Sequence, residues 1–242
     1  MAKYTYLTSG AATVKQLRVA ITLFFLCAAA AGAYVIGLRG VVPLYIALAG
    51  AFLGYSYSGG PLRLGYRGYG ELLIGLMFGP MLMAGVQYAA CGVFDSRIVL
   101  VGVAVGLLVT NILYAHSILD RQADMQMGKL TLAGLLKSPA ARLVAAAVFT
   151  FGSFVLVGLG VALHLLPVAC LCVAVLLPLA VVLWRCCEPM TLWRWLGPMG
   201  DFEGYRRAGI DWFMYRWLMA RNLVSFFALI LLAVNILLNI LG

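Results

Sequence analysis

The chain has 242 residues, of which 64% are hydrophobic and only 10% are charged, and its mean hydropathy is +1.04. A soluble domain is usually about 45–50% apolar and about 25% charged. The composition therefore excludes a soluble enzyme, a disordered chain and a small secreted module held together by disulfides. It predicts a polytopic membrane protein.

The formal net charge is +9, from 17 basic and 8 acidic residues. In a soluble protein such an excess would suggest nucleic-acid binding. In a membrane protein, basic residues accumulate in cytoplasmic loops, where they also suit anionic lipid or a phosphorylated substrate. We therefore expect the lipid bilayer to be a partner of this chain, and we expect no nucleic acid.

Gaps between charged residues predict the membrane spans. No Asp, Glu, Lys or Arg occurs between Arg18 and Arg39, for example, or between Arg97 and Asp120. A helix needs about 20 apolar residues to cross the hydrocarbon, and continuous apolar runs favour helices over strands. We predict an all-α transmembrane bundle of about seven spans, near residues 19–38, 41–57, 72–92, 98–119, 143–163, 166–184 and 222–241.

The basic residues also predict an orientation. If the N-terminus is cytoplasmic, all of the 17 Lys and Arg residues except Arg39 and Arg97 fall on the cytoplasmic side, as the positive-inside rule requires. We therefore expect an integral protein of the cell's inner membrane with its C-terminus outside. All five tryptophans lie within 184–217, which predicts an amphipathic segment at the inner interface.

Polar residues gather at the end of the fourth predicted span. His116, Asp120 and Asp124 are four residues apart, so they would share one face if the helix continued through them. Two such carboxylates suit Mg²⁺, which keeps water ligands and binds substrate phosphates through one or two carboxylates. Lys129 adds the kind of positive charge that attracts phosphate. The alternative interpretation is a polar helix end solvated by the cytoplasm.

The loop between the second and third predicted spans is rich in glycine, tyrosine and arginine. Glycine backbone N–H groups can approach a phosphate closely, and Arg63 and Arg67 can clamp it. The faces of Tyr57 and Tyr66 can stabilise a developing carbocation. The alternative is a glycine-rich turn with interfacial tyrosines. Because both segments are predicted on the same side of the membrane, a shared site is a reasonable expectation.

These two segments resemble the UbiA superfamily of intramembrane prenyltransferases, in particular its MenA-like 1,4-dihydroxy-2-naphthoate branch. The resemblance rests on Gly60-Pro61-Leu-Arg63-Leu-x-Tyr66-x-Gly68-x-Gly70-Glu71 and on Asp120-x-x-x-Asp124-x-x-x-Gly128-Lys129-x-Thr131-Leu-Ala. The second run is similar to the second Asp-rich motif of the family. The similarity in order and spacing extends over roughly residues 8–185.

The resemblance implies a UbiA-like fold and transfer of a polyprenyl group from polyprenyl diphosphate to an aromatic acceptor, 1,4-dihydroxy-2-naphthoate, in menaquinone biosynthesis. It implies Mg²⁺ as cofactor, held by Asp120 and Asp124. The implied diphosphate-binding residues are Lys129, Arg63, Arg67 and His116. The implied substrate-binding residues are Tyr57, Tyr66, Glu71 and Asn111.

Two features depart from the family pattern. The acidic residues before Asp120 are Glu71 and Asp95, so the family's first Asp-rich motif and about two helices have no counterpart in residues 1–242. We expect these residues to form a single, incomplete prenyltransferase-like domain. His116 and Ser117 stand where the family often has two asparagines. A noncatalytic membrane subunit that binds prenyl lipid and a small transporter stay open as alternatives, as does a homo-oligomer.

Overall fold

The computed structural model describes residues 9–185 and 212–241 and is built mainly of helices. The helices are α1 (Val14–Arg39), α2 (Val42–Ser58), α3 (Gly70–Leu76), α4 (Leu82–Cys91), α5 (Ser96–Leu119), α6 (Arg121–Gln126), α7 (Leu132–Leu135), α8 (Pro139–Ala162), α9 (Leu177–Arg185) and α10 (Trp212–Leu241). A π-helical turn at Met77–Met81 joins α3 to α4, and a 3₁₀ segment at Val168–Leu176 leads into α9. A short 3₁₀ turn at Leu64–Tyr66 lies between α2 and α3.

The predicted bundle of about seven spans is confirmed. Six helical segments of the described residues are long and apolar enough to cross a membrane, and α2 is a shorter apolar helix. α10 begins at Trp212 rather than near 222, because Arg216 and Arg221 lie inside the helix instead of ending it. Most of the predicted tryptophan-rich amphipathic segment lies outside the described residues.

Close contact between glycines brings the third span against α5. A Cβ atom added to Gly79 would lie 2.5 Å from both the carbonyl oxygen of Gly102 and the Cα of Gly106. A Cβ added to Gly106 would lie 2.6 Å from the carbonyl oxygen of Gly75. Small residues allow membrane helices to approach in this way. The backbones of α3, its π-helical turn and α5 therefore meet almost directly.

α5 lies at the centre of the bundle, packed against α3, α8 and α10. Ala104 and Leu108 of α5 share the main core with Leu223 and Phe227 of α10, and all four side chains are buried. By contrast, α1 has no buried residue and packs mainly against α2. The polar residues in the last turns of α5 are therefore held at the centre of one end of the bundle.

Candidate functional site

The glycine-rich loop and the segment after the two aspartates lie side by side at one end of the bundle. The backbone N–H of Leu130 donates to the carbonyl of Tyr66 over 3.2 Å, and Arg67 and Leu130 form an isolated parallel β-bridge. Gly68 has a φ of 85° and packs so closely against Leu135 that any side chain would collide with it. Glycine is thus required at this point of contact.

The two aspartates occupy different environments. α5 ends at Leu119, and Asp120 connects it to α6 with φ −84° and ψ 3°. The helix therefore does not run uninterrupted through the three spaced residues, because ψ leaves the helical range at Asp120. Backbone hydrogen bonds still cross the junction, since Asp124 N donates to the carbonyl of Asp120 over 2.7 Å. As a result Asp120 is exposed at the rim, whereas Asp124 is only 6% exposed.

Lys129 compensates the buried carboxylate of Asp124. Gly128 follows α6 with a φ of 72°, and the turn brings Lys129 N to 2.8 Å from the carbonyl oxygen of Asp124. The Nζ of Lys129 lies 3.3 Å from Asp124 Oδ2 and 3.4 Å from Oδ1. A buried carboxylate is costly unless it is paired. The lysine therefore stabilises the carboxylate while its own side chain stays 34% exposed.

Glu71 connects three segments of the site. Its side chain is 4% exposed, and its Oε1 accepts hydrogen bonds from Ser117 Oγ of α5 and from Leu132 N of α7, the latter over 3.0 Å. α3 is thereby tied to the helix that precedes the aspartates and to the helix that follows them. The structure places Glu71 as a link between these elements, and its contact with substrate stays a prediction.

A cavity of about 90 Å³ lies between these segments. Six of the predicted site residues line it: Tyr57, Glu71, His116, Asp120, Asp124 and Lys129. Three carboxylates and one ammonium group in its wall amount to a formal charge of −2 when the imidazole is neutral. A cavity can hold a water molecule once it has about 10–15 Å³ of space of this kind, so this cavity has room for several water-sized groups.

Four predicted residues lie outside the cavity wall. Arg63 and Tyr66 are exposed in the glycine-rich loop, and Arg67 donates from Nη2 to a carbonyl of the same loop over 3.1 Å. Asn111 lies deeper in the bundle, 1% exposed, and donates from Nδ2 to Thr150 Oγ1 of α8 over 2.9 Å. Asn111 thus connects α5 to α8 by a hydrogen bond. The binding roles of all four residues stay predictions.

Ser117 and Thr131 line the cavity but were not predicted as site residues. The cavity wall on α5 is formed by Leu113, His116, Ser117 and Asp120. Their spacing of three, one and three residues marks one helical face, so this periodicity could have identified Ser117. Thr131 is the N-cap of α7, where its Oγ1 accepts a backbone hydrogen bond over 3.3 Å. A threonine before a short apolar helix is a recognisable capping signal.

Comparison with known proteins identifies a family that this chain matches over most of its length. Residues 3–199 match the UbiA prenyltransferase family. The 2-carboxy-1,4-naphthoquinone phytyltransferase of Synechocystis sp. is 32% identical over 173 residues, which cover 68% of this chain and 54% of that relative. The 1,4-dihydroxy-2-naphthoate octaprenyltransferase of Bacillus subtilis is 31% identical over 114 residues, which cover 47% of this chain and 37% of the relative. No solved structure matches the chain significantly.

The chain spans about half the length of the Synechocystis relative and less of the Bacillus relative. The family match includes both the glycine-rich loop and the two aspartates, so the resemblance inferred from those residues is confirmed. Six helices that are long and apolar enough to cross a bilayer agree with an integral membrane protein. The chain therefore belongs to the UbiA prenyltransferase family.

Proposed function

We propose that this protein transfers a polyprenyl group from polyprenyl diphosphate to an aromatic acceptor of the 1,4-dihydroxy-2-naphthoate class, at the cavity beside Asp120 and Asp124. The names of the Synechocystis and Bacillus relatives support this acceptor class. The observation that carries the proposal is the placement of two aspartates and Lys129 beside a glycine-rich loop at one end of an apolar bundle. The positive-inside rule supports a cytoplasmic position for this end, and the proposed location is the inner membrane of the cell.

The cavity wall fits a hydrated Mg²⁺ ion. Its formal charge of −2 disfavours a bare anionic diphosphate and favours a cation. No group of three or more His, Cys, Asp or Glu side chains that could hold a metal occurs among the described residues. Mg²⁺ needs no such group when it binds through one or two carboxylates, water and substrate phosphate. Held by Asp120 and Asp124, the ion would neutralise the charge of the departing diphosphate.

The protein's own groups would position the diphosphate. Lys129 offers a positive charge in the cavity wall, and its ion pair with Asp124 holds it there. The two hydrogen bonds accepted by Glu71 keep α3, α5 and α7 in register around the cavity. A site whose walls are fixed in advance loses less conformational entropy on binding. Lys129 would therefore stabilise negative charge on the leaving diphosphate without a large rearrangement.

Loss of diphosphate leaves an allylic cation, which water would quench unless the site excludes it. Tyr57 lies in the cavity wall, and an electron-rich ring in that position stabilises a nearby positive charge. The aromatic acceptor would then form a bond to the allylic carbon of this cation, after the bond to the diphosphate oxygen has broken. The attacked ring carbon would lose its carboxyl group as CO₂, which restores the aromatic ring. Leu113 provides an apolar part of the same wall, against which the allylic end of the prenyl chain would pack.

Turnover with polyprenyl diphosphate, 1,4-dihydroxy-2-naphthoate and Mg²⁺ tests the proposal. Removing a group that stabilises developing charge costs about 100-fold or more in rate, so we expect at least that loss in Asp124→Asn. Lys137→Gln is a matched control, because Lys137 is exposed at the same end of the bundle and lies outside the cavity. Unchanged turnover in folded Asp124→Asn would contradict the proposed role of this carboxylate.

A second outcome would favour a different function. If the wild-type chain binds the diphosphate with Mg²⁺ but shows no turnover, the noncatalytic prenyl-lipid-binding subunit replaces the enzyme. This alternative rests on the acidic residues before Asp120, which are Glu71 and Asp95. The described cavity therefore contains a single pair of aspartates, Asp120 and Asp124. Binding and turnover should therefore be measured on the same preparation.

A further inference from the structure

A second and larger cavity, of about 690 Å³, lies at the opposite end of the bundle. α5 contributes Val101 and Val105 to its wall, α10 contributes Leu231 and Asn235, and residues 165–167 close a third side. The cavity lies near the start of α5, whereas the Asp pair follows the end of that helix. A helix of 24 residues is about 36 Å long, so the two cavities are separate sites.

This cavity forms where α5 and α10 cease to share a tight core. Nearer the middle of the bundle the two helices bury Leu108, Leu223 and Phe227 almost completely. Toward the cavity, Leu232 of α10 is 55% exposed although it lines the wall. The cavity is therefore open to the surface that faces lipid, and its apolar wall suits a hydrocarbon chain.

The rim of this cavity is formed by one acidic, one basic and two amide side chains. Asp95 and Arg97 pair at 2.6 Å between Oδ2 and Nη2, with side-chain exposures of 24% and 62%. Hydrogen bonds from Arg97 hold the pKa of the Asp95 carboxyl below its usual value, so the pair is ionised at neutral pH. Asn235 and Asn239, one helical turn apart, add exposed amides within the apolar second half of α10.

We infer that this cavity holds one acyl chain of a zwitterionic glycerophospholipid, whose head group rests on the rim. The phosphate and the ammonium of such a head match the exposed dipole of Arg97 and Asp95. The Nδ2 group of Asn235 can donate to an ester carbonyl that lies just below the head. Asn239 Nδ2 donates to the main-chain carbonyl and to Oδ1 of Asn235, and so orients that side chain. Because the rim has no net charge, a zwitterionic head is favoured over an anionic one. This site does not depend on the proposed prenyl transfer.

The composition of the wall argues for a hydrocarbon chain as the occupant. Val101, Val105 and Leu231 give the wall an apolar surface. The cavity is open beside Leu232, which is 55% exposed, so a lipid chain can reach it from the bilayer. The described cavity lies within the range of about 300–1,000 Å³ that is usual for small-molecule sites.

Native mass spectrometry of the detergent-solubilised full chain, incubated with equal amounts of phosphatidylethanolamine and phosphatidylglycerol, tests the inference. We expect one phosphatidylethanolamine to be retained per chain. Val101→Trp places a bulky side chain in the cavity and should weaken lipid binding at least about tenfold, which corresponds to about 1.4 kcal/mol. Leu237→Trp is the matched control, because Leu237 lies on α10 outside the cavity wall and is 55% exposed.

Asn235→Leu is a second variant that adds little volume at an exposed position and should also weaken retention with an unchanged melting temperature. Several results would overturn the inference: a folded wild-type chain that retains no lipid, equal retention by Val101→Trp and Leu237→Trp, or preference for phosphatidylglycerol. A dimer that forms without lipid and is broken by Val101→Trp would overturn it too, because the occupant would then be a second copy of the chain.

Discussion

The hydrogen bonds of Glu71 permit a quantitative test of how the proposed active-site end is assembled. Truncation to alanine removes the Oε1 acceptor that serves both Ser117 Oγ and Leu132 N. A hydrogen bond to a charged group contributes about 1.5–3 kcal/mol, so two such bonds would give about 3–6 kcal/mol. Ser117 Oγ also donates to the carbonyl of Leu113 over 3.2 Å, so it keeps a partner in the variant.

The group left without a partner in Glu71→Ala is therefore mainly the N–H of Leu132. We expect the free energy of unfolding to fall by about 2–4 kcal/mol in this variant. Glu71→Gln retains an acceptor oxygen, so it should lose about 1–2 kcal/mol. Reversible unfolding in mixed micelles, followed by circular dichroism, measures these differences. A double-mutant cycle with Ser117→Ala should give a coupling energy of about 1 kcal/mol. Wild-type stability in Glu71→Ala would refute this reasoning.

Three further variants test other contacts in the same unfolding assay or in binding. Gly79→Ala should lower the free energy of unfolding by about 1–3 kcal/mol, because the added methyl group overpacks against α5. Gly158 has open space around it, so Gly158→Ala should leave the free energy of unfolding unchanged. Equal stability of the two variants would contradict the described packing. Lys129→Met should weaken binding of Mg²⁺-pyrophosphate about tenfold relative to the exposed control Lys137→Met, and an equal affinity in both would exclude Lys129. Asn111→Leu should lower the free energy of unfolding by about 0.6 kcal/mol, the usual value of a hydrogen bond between membrane helices. A decrease above about 2 kcal/mol would show that Asn111 contributes more to stability than this one hydrogen bond.

The membrane spans could be predicted because the hydrocarbon excludes charge, so gaps between charged residues mark helices directly. The same reasoning predicts the start of the last helix near 222, because Arg221 is the last charged residue of the chain. In the structure Arg216 is fully buried and lies inside α10, with its Nη1 3.5 Å from the carbonyl of Ala115. A buried arginine depends on partners from other helices, which the local hydropathy of a segment does not contain.

The site was predictable to the extent that it follows from helical periodicity. His116 lies in the last turn of α5 and Asp120 directly after its end, and both line the cavity, as their spacing of four residues predicts. The break at Asp120, which separates a rim carboxylate from a buried one, depends on how α6 packs after the helix ends and could not be predicted from spacing. The hydrogen bond of Asn111 could not be predicted from local sequence either, because its partner Thr150 lies 39 residues later in the chain.

Binding of inorganic pyrophosphate tests the central claim most directly, because it needs neither acceptor nor turnover. Titration calorimetry on the purified chain should show binding that requires Mg²⁺ and that weakens at least about tenfold in Asp124→Asn, while Lys137→Gln binds like the wild type. Pyrophosphate binding of equal affinity without Mg²⁺, or unchanged in folded Asp124→Asn, would contradict the account of a divalent ion held by these carboxylates.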